Sequence, residues 1–306
     1  MTELKQYIAE EIATDHVEGL LSRREAMRRL GLIGLSAASA SALIAACGSD
    51  SGSSSSSSSS TPASAAAGSG TASAPGMSTA VATEAITFTG PRGPLQGAWA
   101  PAASAKGAVI VLHENKGLTD HIRSVAGRLA GAGYSALAID LLSEEGGTAT
   151  FSDPAQATAA LAKASPDRFT ADMKAGVAEL RKRVPDKKIG AIGFCFGGGL
   201  VWTLLASGEP QLSAAVPFYG PLPDKADFAG SKQAAVLAVY AALDKRVNAS
   251  MPAAEAALKA AGMTNTVVTV PGVDHAFFND TGQRYNAQAA AQIYQQVLDW
   301  FGEYLG

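Results

Sequence analysis

The chain has 306 residues, with 24 Lys and Arg against 27 Asp and Glu and a formal net charge of −3. Basic residues cluster only near the N-terminus, which excludes the electrostatic footprint expected of a nucleic-acid-binding domain. The two cysteines, Cys47 and Cys195, exclude a disulfide framework, because one of them falls in a leader.

That leader comes first in chain order. Ser22-Arg23-Arg24-Glu25-Ala26-Met27-Arg28-Arg29-Leu30 precedes a Gly- and Ala-rich apolar stretch from Gly31 to Ala46. It resembles a twin-arginine export signal with a long polar leader, which is not a fold element. The stretch ends in Leu43-Ile44-Ala45-Ala46-Cys47, similar to a bacterial lipoprotein cleavage and acylation box. Lipidation would make Cys47 the first mature residue. The competing readings are a basic amphipathic leader with a chance cysteine, or a membrane-anchoring helix, for which the run is slightly short. Residues 49–77 are dominated by Ser, Ala and Gly, with eight consecutive serines at 53–60, and cannot bury a core. This composition reads as a flexible tether. The expected organisation is therefore a signal segment at 1–46, a lipid-attachment cysteine and disordered tether at 47–80, and a folded domain at 81–306. The expected location is lipid-anchored, at the outer face of the cell membrane or in the periplasm.

The domain of roughly 225 residues suits one α/β fold. Strand patterns run near 84–88, 95–99, 108–112, 134–139, 188–192, 214–218, 234–240 and 266–270, and helical patterns near 121–132, 166–183, 196–207, 252–261 and 284–304. Apolar strands alternating with helices predict a mainly parallel sheet covered on both faces. No internal repeat is present.

The fifth strand breaks into Gly193-Phe194-Cys195-Phe196-Gly197-Gly198 before a helix, the pattern of a nucleophile elbow with sulfur as its reactive atom. Gly193 and Gly197, two positions either side of the nucleophile, supply the room that the reversal needs, and a helix N-terminus favours a thiolate. A free cysteine is more often a small buried hydrophobe, so the reading depends on residues downstream of the elbow. An elbow nucleophile precedes an acid and then a histidine. Asp244 follows the strand at 234–240, and His275, the only histidine after Cys195, follows the strand at 266–270. Capping of a helix near Met251 competes for Asp244, and Asp274 and Asp280 lie close to the histidine. The amide of Phe196 is placed to hold an oxyanion. His113-Glu114 is no zinc site, since Gly117 stands where His-Glu-x-x-His needs its second histidine. His121 caps or flanks the following helix. No cofactor or metal is required.

Together, His113-Glu114-Asn115-Lys116-Gly117-Leu118, the cysteine elbow, Asp244 and Gly272-x-x-His275-x-Phe277 resemble the dienelactone hydrolase family over about 82–305. The resemblance implies the α/β-hydrolase fold and a Cys195, Asp244, His275 triad. It also implies that Glu114 interacts with the thiol and that the Asn115 amide is the second oxyanion donor. The implied activity is hydrolysis of a small-molecule ester or lactone, with a thioesterase, a peptidase or a silent ligand-binding lipoprotein as alternatives. One departure bears on substrate: family members acting on the acidic lactone are expected to carry an arginine shortly after the histidine, where this chain has Asn279. Arg284 or Arg168 could replace it from another direction. The membrane is the expected partner through a lipid on Cys47, and a monomer is favoured.

Overall fold

The computed structural model describes residues 1–49 and 73–306, which fall into two compact units, Met1–Ser73 and Ala74–Gly306. In the first unit three helices, α1 (Glu3–Val17), α2 (Arg23–Leu32) and α3 (Ala37–Ser49), pack on one another. This corrects the expectation of a leader without fold elements, and the local chemistry explains it. The Thr2 and Ser22 hydroxyls cap α1 and α2 by accepting the Lys5 and Glu25 amides, and Glu25 pairs with Arg28 and Arg29 one turn on. Arg23 and Arg24 occupy the first turn of α2, and Cys47 lies near the end of α3. Among the described residues, no helix is long and apolar enough to cross a membrane. The serine run at 53–60 lies outside the described residues.

The second unit begins before residue 81: Met77–Thr79 form a 3-10 turn, and the Val81 amide donates to the Gly127 carbonyl at 3.0 Å. Its strands are β1 (Glu84–Gly90), β2 (Gly93–Ala100), β3 (Gly107–Leu112), β4 (Tyr134–Asp140), β5 (Ile189–Phe194), β6 (Leu212–Phe218), β7 (Ala235–Ala241) and β8 (Asn265–Val270). They form one sheet in the order β1-β2-β4-β3-β5-β6-β7-β8. The β1–β2 and β2–β4 pairs are antiparallel and the remaining pairs are parallel. Every residue of β3, β4, β5 and β7 is buried, as a parallel strand covered on both faces requires. At the edge, β8 carries Asn265, Thr266 and Thr269 and is largely accessible, which suits a strand with only one neighbour.

The helices are α4 (Asp120–Gly131), α5 (Pro154–Lys163), α6 (Pro166–Arg183), α7 (Phe196–Ala206), α8 (Lys245–Asn248), α9 (Met251–Ala260) and α10 (Ala287–Tyr304). Side chains alternate along β3, so Ile110 reaches Gly176 of α6 on one face while Gly107 lies against Leu305, after α10, on the other. All eight expected strands are present, whereas the one-turn α8 and the longer α5 are additional; α5 is the larger departure. Its alanine-rich sequence has no clear apolar period, but Asp153 caps it and Pro154 opens it. Helix α10 starts at Ala287 rather than Arg284, because the Asn286 side chain caps it by accepting the Ala289 amide. Residues 271–286 therefore stay a long loop.

Chain connections diverge on either side of the boundary between β3 and β5, since β4 lies beyond β3 and β6 beyond β5. In open α/β sheets ligands bind at the carboxyl ends of strands flanking such a switch point. The segments leaving β3 and β5 carry Glu114 and Cys195.

Candidate active site

One residue separates β5 from α7, and it is Cys195, with φ 57° and ψ −118°. A side chain held at positive φ is costly and persists where its surroundings fix it. Here the Cys195 amide donates to the Phe218 carbonyl at 3.1 Å, and its own carbonyl accepts the Gly199 amide at 3.1 Å. The elbow closes because its glycines lack Cβ atoms. A Cβ on Gly193 would stand 2.2 Å from the Gly197 carbonyl oxygen, one on Gly197 2.3 Å from that of Leu112, and one on Gly198 2.2 Å from that of Phe218. Phe196 is the first residue of α7, so its amide has no intrahelical acceptor.

The structure brings the predicted acid and base to this elbow. His275 Nδ1 lies 2.6 Å from Asp244 Oδ2, and a ring nitrogen of His275 is within 4.8 Å of Cys195 Sγ. Burial alone would lower the His275 pKa, but the negative charges of Cys195 and Asp244 outweigh it and raise the value well above 6.5. The arrangement favours an imidazolium facing the Cys195 sulfur. Burial likewise acts to raise the Asp244 carboxyl, yet His275, Arg246 and the Val247 amide hold it below the ordinary range.

Asp244 is also a cap, although of α8 rather than of the helix at Met251. Its Oδ1 accepts the Val247 amide at 3.1 Å while Oδ2 faces the histidine. The neighbouring acids are engaged elsewhere: Asp274 accepts the His275 amide at 2.7 Å, and Asp280 bonds His121 and Arg128.

Glu114 and Asn115, both largely buried, arrive on the segment leaving β3. His113 holds that segment. Its Nε2 accepts the Leu141 amide at 3.2 Å, so Nδ1 carries the proton and donates to the Glu114 carbonyl at 2.7 Å. Burial lowers the His113 pKa below 6.5, outweighing the opposite pull of Asp140. Because the unfolded chain then binds the extra proton, stability is full above about pH 6.5 and falls as pH drops below it. The urea midpoint of the wild type should therefore decrease from pH 7 to pH 5, and less steeply in His113→Gln. An equal decrease in both proteins would remove His113 from this account.

The bond given to Glu114 is to the residue that departs from expectation: Asn279 Nδ2 donates to Glu114 Oε2 at 2.6 Å. Arg168 is not placed as a substitute cation. It is bound to both oxygens of Glu145 and to the Leu141 carbonyl, with Asp172 and Glu144 nearby. Arg284 lies in the loop before α10.

Sequence reasoning missed Tyr219. Its ring packs edge-on against His275 at 5.1 Å between centroids, its backbone has φ 34°, and its amide donates to the Val239 carbonyl at 2.7 Å. Burial first, then the negative charges of Glu114 and Cys195, push the phenol pKa well above 10, so the hydroxyl keeps its proton. The available signal was Tyr219-Gly220 directly after a buried strand, at the edge where ligands bind.

Residues 96–305 match the model of the dienelactone hydrolase family. The chain belongs to that family. It is 34% identical over 210 residues to a candidate carboxymethylenebutenolidase of Escherichia coli O157:H7, spanning 65% of this chain and 77% of that protein. A Saccharolobus solfataricus protein given the same candidate name is 30% identical over 224 residues, covering 62% of this chain and 86% of its own. Among solved structures, a candidate dienelactone hydrolase from Klebsiella pneumoniae subsp. pneumoniae aligns with a TM-score of 0.63 at 30% identity, over 73% of this chain and all of that one. A dienelactone hydrolase-like promiscuous phosphotriesterase from metagenomic libraries gives 0.64 at 27% identity, over 74% of this chain and all of its own. This dienelactone hydrolase family member is therefore a hydrolase with the α/β-hydrolase fold.

Proposed function

We propose that the protein cleaves small esters or lactones with Cys195 as nucleophile, His275 as acid and base, and Asp244 as the group that orients His275. The 2.6 Å contact between His275 and Asp244 beside the elbow cysteine carries this reading. In acylation the thiolate sulfur forms a bond to the ester carbonyl carbon, and the carbonyl electrons move to oxygen. That oxyanion faces the amides of Phe196 and Asn115. As the tetrahedral species collapses, the carbon–oxygen ester bond breaks and the His275 imidazolium gives its proton to the leaving alkoxide. Water then attacks the thioester while His275 takes one of its protons, and the acid and the thiolate separate. Glu114 helps hold or deprotonate the resting thiol, with Asn279 fixing the direction of its carboxylate. Mass spectrometry of enzyme quenched while turning over a slow ester should find the acyl mass on the Cys195 peptide. Turnover with no adduct there under any quench would defeat the nucleophile assignment.

The substrate class follows from the same site. A substrate carboxylate needs a buried cation to offset its desolvation, and Asn279 supplies none while Arg168 is held by Glu145. Neutral lactones should have kcat/KM at least equal to that of analogues bearing a carboxylate beside the scissile bond, and Asn279→Arg should move the ratio toward the acidic ones. A strong wild-type preference for the acidic lactone would show that another group meets the charge.

The protein is further proposed to be exported by its arginine pair and lipid-anchored through Cys47, a reading supported by the order of Arg23-Arg24, apolar stretch, small residues and cysteine. Arg23→Lys with Arg24→Lys should retain the precursor inside the cell, and Cys47→Ala should block only processing and lipidation. An unacylated, fully extractable wild-type protein would end this proposal.

A further inference from the structure

The loop carrying His275 leaves β8, the edge strand, yet the histidine acts beside Cys195 at the end of β5. Between them stand β6 and β7, a span of roughly 14 Å at ordinary strand spacing. No sheet ladder fixes a segment that crosses the ends of other strands. Part of the anchorage is apolar: Phe277 and Phe278 are buried and pack on Phe218, Phe194 and Tyr219. Such contacts supply burial without direction, and a loop held by them alone can shift by a fraction of a side chain.

Direction comes from a part-buried polar cluster, with Asp280 22% exposed, that neither the triad nor the oxyanion donors use. Asp280, five residues beyond His275, accepts Arg128 Nη2 on Oδ1 at 2.9 Å and on Oδ2 at 2.8 Å. His121 Nδ1 stands 2.5 Å from Asp280 Oδ1. Arg128 Nε donates to Ser124 Oγ, one turn earlier on α4, at 3.0 Å, which aims the guanidinium. The Arg128 and His121 side chains are 0% and 1% exposed. Burial alone would raise the Asp280 carboxyl, but the His121 and Arg128 hydrogen bonds hold it well below the usual carboxylate range. His121 and Arg128 are seven residues apart and share one face of α4. That helix begins just after the segment bearing Glu114 and Asn115.

The cluster therefore ties the loop carrying His275 to α4, the helix that follows the segment presenting the Asn115 amide. Asn279 to Glu114 makes a second tie, directly between that segment and the same loop, one residue from Asp280. We infer that His121, Arg128 and Asp280 form a clasp of positioning residues that sets His275 against the oxyanion-binding segment. The inference rests on the proposed roles of Cys195 and His275. A clasp of this kind matters to the rate because displacement of about 1 Å at a reacting group can cost roughly 100-fold.

The test uses the full-length protein with Asp280→Asn, His121→Asn, Arg128→Lys and the double variant Arg128→Met with Asp280→Leu. The double variant removes both charges, so no buried ion is left unpaired if a single change prevents folding. Arg128→Lys keeps the charge but loses the Nε bond to Ser124. For each folded variant, kcat and KM on a neutral ester, the urea midpoint, and the pH profile of Cys195 alkylation by iodoacetamide are measured. Asp280→Asn and the double variant should lower kcat by about tenfold or more with KM within about twofold, and the alkylation profile should shift upward in pH as the His275 partner moves off the thiolate. His121→Asn should fall between these and wild type, and Arg128→Lys should not restore kcat. Wild-type kcat and alkylation profile in folded Asp280→Asn and in the double variant, with only the urea midpoint lowered, would overturn the clasp. Cys195→Ala is run beside them: if it alone retains wild-type turnover, the nucleophile assignment fails instead, and the two failures are told apart.

Discussion

Cys195→Ala should lower ester turnover by roughly 10³-fold or more while leaving circular dichroism and the thermal midpoint close to wild type. The elbow selects for glycine at 193, 197 and 198 and for a Cβ that tolerates φ 57° at the nucleophile position. Alanine preserves that Cβ and removes only sulfur. What is lost is the atom that forms the acyl bond and the negative charge that, with Asp244, keeps His275 protonated. His275→Ala should be nearly as damaging. Because nucleophile and base act as one unit, the double variant should resemble the worse single variant rather than the product of both losses. Cys195→Ala retaining more than a tenth of wild-type kcat on the same ester would sink the triad.

Asp244→Asn should reduce kcat by about 10³- to 10⁴-fold, as loss of the orienting carboxylate does in other triads, with a small change in stability. Asparagine still offers an oxygen to the Val247 amide, so the cap of α8 survives. It also offers a neutral amide to His275 Nδ1 where an anion stood at 2.6 Å. With that anion gone, His275 should titrate lower, so the thiolate and imidazolium would coexist over a narrower pH range. The check is the pH dependence of kcat/KM beside a urea titration. A variant that unfolds much more easily yet keeps kcat would assign Asp244 to capping alone.

The sequence by itself determined the order of the strands and the backbone requirements of the elbow. Continuous apolar runs such as Gly107–Leu112 can be satisfied only inside a covered sheet, and glycine at 193, 197 and 198 is required wherever backbone approaches within about 2.3 Å of a would-be Cβ. Cys195, Asp244 and His275 could be singled out together because chain order and strand-end position constrain them locally, and the fold brings His275 to 2.6 Å from Asp244. Several features were not legible, α5 among them. Capping chemistry makes helices of residues 3–49, and their apolar content reads equally as a leader. Tyr219 matters through a ring contact with a residue 56 positions away, for which local sequence gives no period. Asn279 reads only as a missing arginine until its amide is seen on Glu114. Asp280 reads as one of several spare acids, because its partners His121 and Arg128 lie about 150 residues earlier. Periodicity and turn chemistry are properties of neighbours along the chain and survive in the bare sequence. Directional contacts between the loop of an edge strand and segments leaving the middle of the sheet depend on how edge-strand β8 returns its loop to the β3–β5 crevice, and only the tertiary fold fixes that return.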